Sequence, residues 1–347
     1  MRKYIPNFLK YPLVALYIFA RCLMRGNTGK GIALNLGGVL PSDPRAIVHG
    51  GKVKLLALRE RFGDSWQRFN TAYFVSSGLP FAPALWIRIY KMFGVRVVWN
   101  QNGFAYPALY APEVVARVNG LFTPMRQCHH IVYQTAFTKR CAEKFLGHIA
   151  TPSSIIVNPV DTEKFRPRAS LLPQTPFIII MAGNHFESKE RMRVSLEAIR
   201  IVREKGIEVK LLITGHPDHP PKEEWVSMTG PFTQEEAPTL YQRAHILLHL
   251  KYLDPCPTNV LEALACSLPV VGQGNGGMPE LVSSKAGILL PAPEDFDHLH
   301  YPSGELVAEA IIKIKDSLAE FSHNAREHAL RFDKKMWLAR HEEIFNI

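Results

Sequence analysis

Short apolar runs alternate along the chain with segments whose apolar residues recur every three to four positions. In the first half, the runs cover residues 31–36, 71–75, 95–99 and 131–133, and helical patterns cover residues 52–61, 83–93 and 138–145. Short apolar runs predict buried strands, and the three-to-four spacing predicts amphipathic helices. Strands that alternate with helices of this length indicate parallel sheets with helical crossovers.

The second half of the chain repeats this pattern. We predict strands over residues 177–181, 209–213, 245–250 and 269–271, with helices over 235–244 and 259–267 and another around residues 192–202. A proline-containing stretch, residues 166–176, separates the halves. The sequence therefore predicts an α/β protein of two facing nucleotide-type domains with a cleft between them: residues 31–165, a linker over 166–176, and residues 177–330. We expect a last helix over 331–347 to return to the first domain.

Residues 1–30 form a separate basic and apolar segment. An apolar run over residues 12–20 lies between Lys10 and Arg21, and it is shorter than the roughly 20 residues that cross a bilayer. No small-residue cleavage site of a signal peptide follows it. The segment resembles an interfacial helix on an anionic membrane surface; the alternative is a helix that packs on the body of the protein.

Charge and cysteine content narrow the possible functions. The net charge of the 347-residue chain is +10, but residues 1–30 hold six basic residues and no acid, so the remainder is only mildly basic. This distribution argues against nucleic acid as a partner. The five cysteines include no C-x-x-C pair, which argues against a disulfide framework and favours the cytosol. Cys128-His129-His130 has no second ligand pair at a useful spacing, and we interpret it as a helix-to-strand junction rather than a metal site.

Residues 254–282 carry the strongest indication of chemistry. A strand end is followed by a polar loop, a helix that begins near Thr258, Asn259 and Val260, and Glu262 in the first turns of that helix. Free N–H groups at a helix start favour an anion such as a diphosphate. A carboxylate at the position of Glu262 is able to accept hydrogen bonds from vicinal hydroxyls like those of a ribose. The Gly276-Gly277 turn adds backbone that a ligand approaches closely.

The order of these residues resembles a known family. Asp254 is followed by seven residues and then Glu262-Ala263, and Gly276-Gly277-Met278-Pro279-Glu280 continues the pattern. Residues 157–167 and the glycine pair Gly50-Gly51 add to it. Together they resemble the GT-B glycosyltransferases, in particular retaining family 4, the glycosyl transferases group 1. The resemblance implies a GT-B fold, in which two Rossmann-like domains face each other across a deep interdomain cleft.

The resemblance also implies roles for individual residues. Two of them are implied to be catalytic: Lys189 would neutralise the donor diphosphate, and Asp254 would bind the transferred sugar. Glu262 would hold the ribose hydroxyls. The other implied donor-binding residues are Gly50, Gly51, Asn184, Thr258, Asn259, Val260, Gly276 and Gly277. The nucleotide sugar is then a substrate, and we expect no cofactor and no metal, because a lysine and helix amides are able to stabilise the departing diphosphate.

The chain departs from the family pattern at several positions. Asn184 stands where an arginine is usual, and Arg191 or Arg193 is expected to replace that charge. Pro257 stands where a glycine is expected, so its N–H is missing. Residues 100–103 stand where the family often has a histidine, and their amides are expected to contact a sugar or acceptor.

These observations predict a metal-independent retaining glycosyltransferase that moves a sugar from a nucleotide sugar to a glycan or lipid-linked acceptor. We expect it to act in cell-surface polysaccharide or lipopolysaccharide biosynthesis, in the cytoplasm, with residues 1–30 on the inner face of the membrane. Two alternatives remain open: a non-catalytic partner that binds nucleotide sugars, and a GT-B sugar-nucleotide epimerase.

Overall fold

The first half of the chain forms a five-stranded parallel sheet. The computed structural model describes residues 7–26, 31–35, 37, 40, 51–170, 173, 175–183, 185–186 and 188–346. The first sheet has the strand order β1-β2-β3-β4-β5, and every neighbouring pair is parallel. Its elements are α1 (Asn7–Leu23), β1 (Gly31–Asn35), α2 (Gly51–Phe62), β2 (Phe69–Val75), α3 (Pro83–Met92), β3 (Arg96–Gln101), α4 (Pro112–Gly120), β4 (His130–Tyr133), α5 (Ala136–Leu146) and β5 (Ser153–Ile155), with 3₁₀ turns at Ser76–Gly78 and Thr123–Gln127.

The two faces of this sheet carry separate apolar cores. Strands β2 and β3 are buried along nearly their whole length, which explains their continuous apolar sequences. On one face, α3 packs Ile87 and Tyr90 against the sheet. On the other face, Leu55 and Leu58 of α2 pack beside the sheet. The predicted strands and helices of this half are therefore found, with ends that differ by a few residues.

The second half forms a six-stranded parallel sheet with the order β10-β8-β6-β11-β12-β13. A separate two-stranded sheet pairs β7 with β9. The elements are β6 (Phe177–Met181), β7 (His185–Phe186), α6 (Lys189–Glu204), β8 (Val209–Ile213), β9 (His216–Pro217), β10 (Val226–Met228), α7 (Ala237–Tyr241), β11 (Ile246–His249), α8 (Thr258–Ala265), β12 (Val270–Gln273), α9 (Met278–Leu281), β13 (Gly287–Leu290), α10 (Gly304–Asp316), α11 (Leu318–Ala329) and α12 (Lys334–Phe345), with a 3₁₀ turn at Leu330–Phe332.

The C-terminal helix α12 packs on the first sheet. Trp337 and Phe345 belong to the same apolar core as Leu55 and Leu58. His341 is buried, and its Nε2 lies 3.0 Å from the hydroxyl of Tyr73. These contacts tie the end of the chain to the first half. The predicted domain boundaries at residues 165, 176 and 330 stay predictions.

The N-terminal apolar run forms helix α1, and one side of it is buried against the first sheet's core. Ile18 and Cys22 pack there with Ile87 and Tyr90. The structure thus has the packed helix that the sequence left as the alternative, while several large apolar side chains on its other side stay exposed. None of the helices in the described ranges combines the length and the apolar character that a membrane crossing requires.

Four helices were not predicted. These are α4, α9, and the pair α10 and α11, which fill residues 304–329, where no element was predicted. Cys128 lies between a 3₁₀ turn and β4, as predicted for a helix-to-strand junction. All five cysteines are free and buried.

Candidate functional site

The loops that follow β6 and β11 lie side by side at the carboxyl edge of the second sheet. The strand order reverses there: β8 lies on one side of β6, and β11 on the other. Ligands of open parallel sheets bind at such a reversal. Asn259 at the start of α8 donates a hydrogen bond from Nδ2 to the carbonyl oxygen of Ala182 at 2.7 Å, which joins the two loops. The start of α8 therefore occupies the expected ligand position.

The N-terminus of α8 has donor groups that no side chain caps within the described residues. Pro257 precedes Thr258 and provides no side-chain cap. The first N–H groups of a helix have no partner within the helix, and the helix dipole makes them attractive to an anion. Val260 is fully buried in the core, so only its backbone N–H is able to contribute.

Glu262 lies in this helix, close to its start, and is almost fully buried. Its Oε2 accepts a hydrogen bond from the hydroxyl of Tyr241 at 2.9 Å. Burial raises the pKa of Glu262 to about 7, against the opposing effect of the Tyr241 hydrogen bond. A carboxylate in this setting gains stability when further hydroxyl groups donate to it.

Asp254 lies in the loop after β11 and is also buried. Its Oδ2 is 3.3 Å from Lys251 Nζ and 3.4 Å from His249 Nε2. Burial alone would raise the pKa of Asp254, but the Lys251 ammonium and the His249 ring outweigh it and hold that pKa below its ordinary value. Among the described residues both of these contacts use Oδ2, so Oδ1 is the oxygen that remains to accept a hydroxyl.

Besides Lys251, the start of α6 carries the cations that were predicted for the site. Lys189 is the first residue of this helix and is exposed. Arg191 is buried. Burial is the main cause that lowers the pKa of His249; Asp254 opposes it, and the positive charge of Arg191 adds to it. Arg191 therefore lies near the Asp254 loop.

Arg193 faces away from this region. Its guanidinium pairs with Glu190 at 2.6 Å and Glu197 at 2.8 Å on an exposed side of α6. Of the two arginines expected to replace the family's missing charge, Arg193 is already paired with two carboxylates, and Arg191 is the one near the Asp254 loop. Asn184 itself lies outside the described residues.

The Gly276-Gly277 turn packs directly on the Asp254 loop. A Cβ at Gly276 would lie 2.6 Å from the Asp254 carbonyl oxygen, and one at Gly277 would lie 2.1 Å from the Pro255 carbonyl oxygen. The Gly277 N–H donates to the Asp254 carbonyl oxygen at 2.8 Å. Close backbone approach is thus the observed reason for glycine here, and a direct contact of this turn with a ligand stays a prediction.

Contacts with the first half of the chain hold the Asp254 loop from the other side. Thr135 donates its hydroxyl to the Pro255 carbonyl oxygen at 2.9 Å, and Asn158 Nδ2 donates to the Cys256 carbonyl oxygen at 2.8 Å. The carboxylate of Glu280 accepts the backbone N–H groups of Ala136 at 2.8 Å and Phe137 at 3.1 Å, at the start of α5. The sequence analysis did not assign this role to Glu280.

A buried lysine that the sequence analysis also missed lies in the first half of the chain. Lys54 of α2 is almost fully buried, and its Nζ donates to Asn100 Oδ1 at 2.7 Å. The Gln134 amide oxygen, oriented toward Nζ, accepts a second bond. Burial lowers the pKa of Lys54 to about 7. The sequence signal for the burial of Lys54 was its position four residues before Leu58, on the apolar side of the predicted helix.

Two of the amides expected at a sugar or acceptor are not accessible. Asn100 and Gln101 are buried; Asn100 binds Lys54, and Gln101 accepts from the Trp99 indole N–H and donates to the Gly103 carbonyl oxygen. The expectation for these two residues was wrong, because they end a fully buried strand. Of the glycine pair opening α2, Gly51 begins the helix, and Gly50 lies outside the described residues.

An Asp-x-Asp sequence that the sequence analysis overlooked is present at Asp295-Phe296-Asp297. Asp295 binds its own loop: Oδ1 accepts the N–H groups of Asp297 and His298, and Oδ2 lies 2.8 Å from His300 Nε2. In the part of the chain that the structure describes, no three His, Cys, Asp or Glu side chains are grouped so that they could hold a metal ion.

Comparisons with known proteins agree with this geometry. Residues 176–300 match the family model described as Glycosyl transferases group 1. A putative colanic acid biosynthesis glycosyltransferase, WcaL of Escherichia coli, is 29% identical over 38% of this chain and 36% of its own length. A probable sucrose-phosphate synthase of Thermosipho melanesiensis is 24% identical over 55% of this chain and 44% of its own. The chain thus spans less than half the length of these curated relatives.

Solved structures show the same fold. HepE of Anabaena, in complex with UDP-glucose, superimposes with a TM-score of 0.64 at 15% identity, over 91% of this chain and 98% of that one. The resemblance to group 1 glycosyltransferases is confirmed, and the two parallel-sheet halves have the GT-B architecture.

Proposed function

We propose that this GT-B protein, whose residues 176–300 match the group 1 glycosyltransferases, is a retaining glycosyltransferase. It moves a sugar from a nucleotide-sugar donor to a glycan or lipid-linked acceptor in cell-surface polysaccharide or lipopolysaccharide biosynthesis. The observation that carries the proposal is the buried Glu262 close to the uncapped start of α8, at the reversal of strand order.

The donor diphosphate lies against the start of α8. The N–H groups of Thr258, Asn259 and Val260 donate to it, and Lys189 and Arg191 supply positive charge. As the bond to the sugar breaks, negative charge grows on the departing diphosphate, and these fixed donors stabilise it. The same groups make a metal unnecessary in this proposal.

Two carboxylates orient the rest of the donor. Glu262 accepts the two ribose hydroxyls, helped by the Tyr241 hydroxyl that already fixes one of its oxygens. Asp254 accepts a hydroxyl of the transferred sugar through Oδ1, while Lys251 and His249 hold Oδ2. Gly50, Gly51 and Asn184 complete the donor site in this proposal.

The proposed donor class and acceptor follow from two of the similar proteins, and the proposed location follows from the cysteines. HepE binds UDP-glucose, so UDP-sugars are the first donors to test. The printed name of WcaL refers to colanic acid biosynthesis, which supports a polysaccharide-related acceptor. The proposed cytoplasmic location rests on five cysteines that are all unpaired and buried.

A thermal-shift screen against UDP-, GDP-, ADP- and dTDP-sugars tests the donor site. We expect one nucleotide to stabilise the wild-type protein and a Glu309→Gln control, whose carboxyl is exposed on α10. Glu262→Gln should lose that stabilisation while keeping its fold by circular dichroism. Equal stabilisation of Glu262→Gln would contradict the assignment of Glu262.

Incubation with the donor alone separates the candidate functions. Slow release of free sugar supports a transferase, whereas conversion to a different sugar nucleotide identifies an epimerase. Tight binding with no turnover on any acceptor identifies a non-catalytic partner. Activity that survives EDTA supports metal independence, and activity restored only by a divalent cation contradicts it.

A further inference from the structure

Helix α1 exposes an apolar side to solvent. Its outer face is formed by uncharged residues that recur every three to four positions, singly or as adjacent pairs. They are Pro12, Leu13, Leu16, Phe19, Ala20 and Leu23. Leu13 is 55% exposed, Leu16 69% and Leu23 72%. Water-soluble helices normally turn such a stripe inward, so this helix is oriented for an apolar contact outside the chain.

The opposite side of α1 fixes the helix in this orientation. Ile18 and Cys22 are buried in the core. Arg21 donates to the Tyr90 hydroxyl at 3.0 Å and the Trp66 carbonyl oxygen at 3.2 Å. Arg25 donates to the carbonyl oxygens of Phe69 and Phe93. The basic residues at this end of the helix serve as anchors, and the apolar face is held outward by the fold.

Residues from beyond the N-terminal segment extend the apolar surface. Tyr11 contacts Phe81 with ring centroids 4.9 Å apart, Tyr17 contacts Trp66 at 5.6 Å, and Phe19 contacts Phe93 at 5.4 Å. Trp66, Phe81 and Met92, next to Phe93, are themselves exposed. We call the outer face of α1 together with Trp66, Phe81 and Met92 the α1 surface.

Basic residues predominate around the α1 surface in the part of the chain that the structure describes; Asp64, two residues before Trp66, is an exposed acid near it. Residues 1–42 and 65–112 contain no aspartate or glutamate. Arg68, Arg88 and Lys91 are exposed in the second of these ranges, and Arg88 lies one helical turn before Met92. An apolar stripe with tryptophan and tyrosine beside it and mostly basic residues around it is complementary to the headgroup region of an anionic bilayer.

We infer that the α1 surface docks this protein on an anionic lipid bilayer, with the side chains of Leu13, Leu16 and Leu23 inserted at the boundary between headgroups and acyl chains. The inference goes beyond the proposed reaction and does not depend on it. A second copy of the chain is the competing occupant; the excess of basic over acidic residues among the described residues near this surface disfavours it, because a symmetric contact would bring like charges together.

Vesicle sedimentation of the full chain tests the inference. We expect binding to vesicles of phosphatidylcholine with 30% phosphatidylglycerol, weaker binding to pure phosphatidylcholine, and weakening by salt. Leu16→Glu and Leu23→Glu should each lower the partition coefficient about tenfold or more, since each leucine loses its transfer into an apolar phase. Leu306→Glu is the control, because Leu306 is also an exposed leucine (47%) on a helix, α10, in the other half of the chain.

Three outcomes would overturn the inference: no binding to anionic vesicles, equal binding by Leu16→Glu, or a wild-type dimer in light scattering that Leu16→Glu makes monomeric. Thermal stabilisation by the donor is measured on every variant. Variants that keep it while losing vesicle binding separate membrane docking from the donor site, and they show that the variant is folded.

Discussion

The raised pKa of Glu262 predicts that donor affinity depends on pH. In the empty site, burial favours the neutral acid and raises the pKa of Glu262 to about 7. Two ribose hydroxyls that donate to the carboxylate favour the ionised form instead. Between pH 8 and pH 6 the ionised fraction of a group with this pKa falls about tenfold, which corresponds to about 1.4 kcal/mol of binding free energy. The donor should therefore bind about tenfold more weakly at pH 6 than at pH 8.

Isothermal titration with UDP-glucose is the suitable assay. Each phosphate of this donor carries one ester bond and one anhydride bond and so has no weakly acidic P–OH group, and the ligand itself does not titrate in this range. Binding near pH 6 should release a proton, detected as a heat that changes with the ionisation enthalpy of the buffer. Glu262→Gln should bind weakly at every pH without this dependence. A wild-type affinity that is constant from pH 6 to pH 8, or the same slope in Glu262→Gln, would refute the reasoning.

Three further predictions concern the residues around the site. Arg191→Gln should weaken UDP-glucose binding about tenfold or more, because a charged hydrogen-bond donor near the diphosphate is lost. Arg193→Gln should bind UDP-glucose as the wild type does. Equal effects of the two variants in titration calorimetry would contradict the assignment of Arg191 to the diphosphate. Glu280→Gln should lower the free energy of unfolding in urea by about 1–2 kcal/mol, because the charge that caps α5 is removed, and an unchanged midpoint would count against that contact. Burial lowers the pKa of Lys54 to about 7, so between pH 7 and pH 9 the folded state binds fewer protons than the unfolded state. The free energy of unfolding should therefore rise by about 2 kcal/mol over this range because of Lys54. Lys54→Met should remove that rise in urea unfolding, and a pH dependence that persists in the variant would show that another group causes it.

The parts of the fold that sequence could predict are those that local pattern determines. Strands such as β2, β3 and β6 are continuous apolar runs because both faces of a parallel sheet are covered. Their alternation with helices is enough to predict two parallel sheets. Helix α4 has Val114, Val115 and Val118 at helical spacing, but these valines are only partly buried and the helix is nine residues long. Helices this short depend on tertiary packing, which the local pattern does not show.

The candidate site was predictable where the chain itself brings residues together. Glu262 and the start of α8 are neighbours in sequence, and Asp254 is joined to them by one short loop. The cap from Glu280 to α5 spans 144 positions, and the contact between Lys54 and Asn100 spans 46. Such contacts depend on how the two sheets and their helices pack, and no local pattern encodes them.

The central claim, that the α8 site transfers sugar with retention, is tested most directly by proton NMR of donor hydrolysis. Purified protein is incubated with the UDP-sugar that stabilises it, and the anomeric signals of the released sugar are followed before mutarotation. We predict that the first free sugar has the anomeric configuration of the donor and that Glu262→Gln releases it much more slowly. A first product of inverted configuration would contradict retention, and equal rates in the two proteins would contradict the site.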